Sequence, residues 1–123
     1  MSKLDDAVVF SKKYHINLEK PVVKPVIEKL VRSLIQNLGG PLSHNGIILG
    51  HIKVLGKVTD EDFLFLSLTR LDSVDVKTSS HWSAESTCEW DSIDLDINVL
   101  VFGYGIEVIE KVVKNSLAIF RQE

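Results

Sequence analysis

The chain is poor in several features that would fix its class. It has a single cysteine, Cys88, in 123 residues. One cysteine excludes an intrachain disulfide and fits a reducing compartment. The segment Met1 to Asp6 lacks an apolar signal core. No apolar run approaches the roughly 20 residues that a membrane-spanning helix needs. These absences make the cytoplasm the expected location. No repeat, low-complexity run or linker divides residues 1–123, so a single domain is expected. At this length a chain buries roughly two thirds of the surface exposed when unfolded, enough for a core without metal or disulfide support.

A concentrated basic surface is also missing. The net charge is -3, and the only basic stretch, Lys12, Lys13, Lys20 and Lys24, is sparse. Binding nucleic acid by counterion release needs a denser footprint, which places that function third among the candidates. The loop Gly39-Gly40-Pro41-Leu42-Ser43-His44-Asn45-Gly46 is no phosphate cradle. No Gly-Lys-Ser/Thr follows, and it would join a helix to a strand rather than open a helix. Asn45-Gly46 reads as a turn pair.

What is present is periodicity. Val9 to Glu19 alternates, with Phe10, Lys12, Tyr14, Ile16 and Leu18 on one face and Ser11, Lys13, His15 and Asn17 on the other, the mark of a half-buried strand. Pro21 and Pro25 end it. From Pro25 the stripe Val26, Ile27, Leu30, Val31, Leu34, Ile35 and Leu38 predicts a helix, stopped by Gly39-Gly40-Pro41. Ile47 to Lys57 is a second strand, Thr59 to Asp62 a turn, and Phe63 to about Val76 a third strand with a bulge or bend near Arg70-Leu71-Asp72. Thr78 to Asp91 reads as a long loop. Ser92 to Phe102 alternates most cleanly, and Gly103-Tyr104-Gly105 leads into a helix with Ile106, Ile109, Val113, Leu117 and Phe120 on its stripe. The expected fold is α+β, a two-layer α/β sandwich of order β-α-β-β-β-α. A mostly antiparallel four-stranded sheet would carry two helices on one face.

That arrangement leaves a second sheet face. It collects Lys13, His15, His51, Lys53, Lys57, Ser67, Thr69, Asp94, Asp96 and Asn98, together with the apolar Leu49, Leu55, Phe65, Leu100 and Phe102. As a solvated surface its ion pairs would contribute only about 0.2–1 kcal/mol each. Large apolar residues among the charges point instead to a contact surface. As a small-molecule site, His51 would act as general base or acid, Asp94 or Asp96 would orient it, and Lys53 would clamp an anion. Ser67, Thr69 and Asn98, and the tryptophans Trp82 and Trp90 in the long loop, are further ligand-binding candidates. Cys88 with His81 is a conceivable nucleophile pair, although a lone cysteine of this kind is more often unreactive.

His44, His51, His81 and Cys88 are the candidate metal ligands. Neither His44 and His51 nor His81 and Cys88 have the close spacing usual in structural zinc sites, so no metal or cofactor is expected. The leading expectation is a binding or scaffold domain without catalysis that forms a homo-oligomer through the sheet face. A small enzyme or anion-binding protein using His51, Lys53, Asp94 and Asp96 is the alternative.

Overall fold

A computed structural model describes residues 6–82 and 87–122. Most of the polar N-terminus and part of the expected long loop therefore lie outside the described residues. The chain runs β1 (Ala7–Val23), α1 (Lys24–Leu42), β2 (Ile47–Lys57), β3 (Phe63–Arg70), β4 (Ser73–Thr78), β5 (Glu89–Phe102) and α2 (Ile106–Gln122). All neighbouring strands are antiparallel, in the order β1-β5-β2-β3-β4.

The sheet has five strands where four were expected. The third expected strand is two, folded back at Leu71-Asp72, with Leu68 opposite Val74 and Leu66 opposite Val76. The alternation is interrupted at Arg70-Leu71-Asp72, where the ladder shifts register, but it resumes at Val74 and Val76 on the same parity as Leu66 and Leu68. A tight hairpin and one long strand with a bend then look alike in sequence.

Proline marked two boundaries too early. β1 continues through Pro21 to Val23. It is an edge strand, and its pairing with β5 shifts between Asn17 and Val22, a place where a missing N–H costs no ladder bond. α1 continues past Gly39 and Gly40 to Leu42, with Pro41 inside its last turn. Gly39 packs closely on β3: a Cβ there would lie 2.3 Å from Leu68 Cδ2, so that side chain would have to shift. Leu42, fully buried, holds the end of the helix against the core. Asn45 and Gly46 then turn the chain with φ of 54° and 82°. His44 and Ile47 exchange both backbone hydrogen bonds around them, as a two-residue hairpin turn requires.

Both helices cover one face of the sheet. Beneath them lie Ile93, Leu95, Ile97, Val99 and Val101 of β5, Ile52 and Val54 of β2, and Leu64, Leu66 and Leu68 of β3, all at most 1% exposed. The helices contribute Ile27, Val31, Leu34, Ile35 and Leu38 from α1, and Ile109, Val113 and Phe120 from α2. Side chains on a strand alternate between faces, so burying this set commits the intervening residues to the opposite side. Among the described residues, no helix is long and apolar enough to cross a membrane.

Candidate functional site on the open sheet face

β5 is the second strand of the sheet, between β1 and β2, and its register composes the open face in rows. His15, Asp94, Lys57 and Phe63 form one row; Lys13, Asp96, Leu55, Phe65 and Lys77 form the next. A third holds Ser11, Asn98, Lys53, Ser67 and Asp75, and a fourth Val9, Leu100 and His51. Leu55, Phe63, Phe65, Leu100 and Phe102 are half-buried, although no helix covers them.

Two polar contacts tie β1 to β5 across this face. His15 Nδ1 lies 2.6 Å from Asp94 Oδ1, and Ser11 Oγ donates to Asn98 Oδ1 at 2.6 Å. Lys57 reaches Asp60 at 3.5 Å. Lys13, Lys53, Lys77, Asp75 and Asp96 make no ion pair or side-chain hydrogen bond among the described residues. A depression of about 300 Å³ is lined by Lys13, His15, Leu55, Lys57, Asp94 and Asp96.

The histidine that meets a carboxylate on this face is therefore His15, whereas the sequence pointed to His51. His51 stands opposite Leu100, while Asp94 stands opposite Lys57. The six-residue offset from Leu100 to Asp94 is about 20 Å along a strand, so His51 and Asp94 are not brought together. The Nδ1 atom of His51 is enclosed without a hydrogen-bond partner among the described residues. Lys53, Ser67 and Asn98 do share a row, and Thr69 is exposed near the end of β3. His15 was visible on this face, but only the strand order reveals that β1 borders β5.

The tryptophans and the metal candidates go elsewhere. Trp82 and Trp90 pack against the core, Trp90 within β5 opposite Val22. Lys24, counted among the basic residues of the sequence, is only 4% exposed. Its Nζ donates to Asp62 at 2.6 Å and to the His81 carbonyl at 3.2 Å, and lies 5.4 Å from the centre of the Trp82 ring. The Lys24 hydrogen bond, followed by that from Thr59, holds the Asp62 carboxyl below its ordinary pKa. This cluster pins the segment after β4 to the start of α1. His44 stacks on Tyr104 with ring centroids 5.1 Å apart, His81 lies 3.7 Å from Glu61, and Cys88 is exposed. Among the described residues no three His, Cys, Asp or Glu side chains converge as a metal site would require. No protein-family model, curated protein or solved structure matches the chain.

Proposed function

We propose that the protein is a non-catalytic binding domain that pairs with a second copy of itself through the open sheet face. The observation that carries this reading is the mixture on that face: half-buried Leu55, Phe63, Phe65 and Leu100 beside Lys13, Lys53, Lys77, Asp75 and Asp96, none of these five charges paired. A surface with both signs of charge and an apolar centre is complementary to its own copy across a two-fold axis, where each lysine can meet the other chain's aspartate. Its size also fits. Five strands of 6 to 17 residues, rising about 3.3 Å per residue and about 4.8 Å apart, make a plane of roughly 900 Å². That is comparable with the ~800 Å² per partner of a stable interface.

The test is the double variant Leu55→Asp, Phe65→Asp, followed by sedimentation velocity and circular dichroism. A shift from dimer to monomer with an unchanged spectrum supports the reading. An unchanged sedimentation coefficient contradicts it.

A second reading rests on the 2.6 Å contact between His15 and Asp94 at the edge of the depression. A carboxylate that orients an imidazole, with Lys13 and Lys57 alongside, is a constellation able to bind an anion and move a proton. Titration with inorganic phosphate, followed by the His15 ring resonances, distinguishes it: saturable shifts favour an anion site, and constant resonances remove it.

A further inference from the structure

Beside the core, where α2 lies against β1, a groove of about 650 Å³ opens on the side of the sheet away from the proposed interface. Its strand wall is Phe10, Lys12 and Tyr14, alternate residues of β1 that face the helices. Its helix wall includes Lys114, Leu117 and Arg121. Phe10 and Tyr14 are half-buried and Leu117 is buried, so the floor is apolar. Lys12 breaks the apolar alternation of β1, and its Nζ is held 5.4 Å from the centre of the Tyr14 ring.

We propose that this groove binds an amphipathic monoanion, a medium-chain fatty carboxylate, with its chain along Phe10, Tyr14 and Leu117 and its carboxylate at Lys12, Lys114 and Arg121. Charge complementarity is the first argument. The whole chain carries a net charge of -3, yet three cations line this groove against one acid, Glu110. Lys114 and Arg121 form no ion pair among the described residues. Shape is the second. From Phe10 to Tyr14 the strand wall is about 13 Å long, and from Glu110 to Arg121 the helix wall is about 16 Å. The cations stand along the rim, Lys12 midway between Phe10 and Tyr14, and Lys114 and Arg121 on either side of Leu117. An apolar chain lying along the floor with its carboxylate turned up to the rim therefore suits the trough better than a compact polar metabolite. The Tyr14 hydroxyl adds a donor. It makes no hydrogen bond among the described residues. Burial, and then the neighbouring Glu110, push its pKa up, so it keeps its proton.

Isothermal titration with decanoate below its micellar range tests the proposal, with 1-decanol, acetate and inorganic phosphate as controls. Wild-type protein is expected to bind decanoate saturably, one per chain. Lys114→Ala with Arg121→Ala removes two charge-assisted contacts and should weaken binding about ten-fold or more, equivalent to roughly 1.4 kcal/mol. Ala118→Trp fills the groove from an exposed helix position and should abolish binding while the circular dichroism spectrum is unchanged. Decanol should bind at least about ten-fold more weakly than decanoate. The proposal is overturned by no saturable heat, by binding insensitive to both variants, by decanol binding as well as decanoate, or by acetate or phosphate binding as well as decanoate. Because the groove and the open face lie on opposite sides of the sheet, these titrations and the association state are read independently.

Discussion

On β5, Ile93, Leu95, Ile97, Val99 and Val101 lie under the helices, while Asp94, Asp96, Asn98, Leu100 and Phe102 between them face the open side. The strands and backbone ladder are the same; only the parity of the residue differs. On β5 the side chains under the helices are all aliphatic and buried, so that face stabilises the fold. The open face mixes Leu55, Phe63 and Phe65 with Lys13, Lys53, Lys77, Asp75 and Asp96, which form no ion pair among the described residues. The contrast shows how one alternating pattern can build two unlike faces, one holding the domain together and the other presenting a mixed apolar and charged surface.

Substitutions on the two faces sharpen this contrast, and their effects on stability should fall in order. Ile97→Ala, beneath the helices, should lower the unfolding free energy by about 2–5 kcal/mol, measured by urea denaturation. A loss below about 1 kcal/mol would mean that this face is not the core. Next comes the Lys24–Asp62 cluster, which ties the start of α1 to the turn between β2 and β3. Because the Asp62 carboxyl titrates below its ordinary value when folded, its stabilisation is present above the pKa of the unfolded chain and is lost as pH falls through the folded value. Asp62→Asn should therefore be less stable than wild type at neutral pH and show a flatter loss of stability in acid. Parallel acid limbs for the two proteins would contradict that assignment.

Leu55→Asp, on the open face, should alter the stability of the isolated chain by about 1 kcal/mol or less while weakening the proposed pairing. If it unfolds the domain as Ile97→Ala destabilises it, the comparison between the faces fails. The smallest effect belongs to His15→Gln. His15 and Asp94 have side chains 61% and 66% exposed, and a pair so open to solvent contributes roughly 0.2–1 kcal/mol. Chemical denaturation should place this variant within about 0.5 kcal/mol of wild type.

How far the sequence revealed these features depended on whether the signal was local. β2 was legible from end to end because its alternation is bounded by Asn45-Gly46 and the polar Thr59–Asp62 turn. The apolar faces of β3 and β5 were equally clear, as were the stripes of α1 and α2 except at their first residues, Val26 and Ile106, which are exposed. The split between β3 and β4 was hidden because the apolar alternation, interrupted at Arg70-Leu71-Asp72, resumes on the same parity at Val74, as it would after a bend in one strand. Pro21 and Pro41 misplaced boundaries because an edge strand and a last helical turn tolerate a missing N–H. Membership of the open face followed from alternation, but neighbours on it did not. Register is a long-range property, so His51 could not be told from His15 as the partner of Asp94. Lys24 looked like a surface cation; only folding brings Asp62, His81 and Trp82 around it. The groove beside α2 had one visible trace, the cation Lys12 on an apolar face.

The most direct test of the central claim is the molar mass of the wild-type protein in solution, measured by light scattering at two concentrations. Pairing through the open sheet face predicts a mass of twice the 13.8 kDa chain that persists at the lower concentration or dissociates from it by mass action. A mass of 13.8 kDa at both concentrations, with protein in the tens of micromolar, would contradict it and leave the face exposed to solvent.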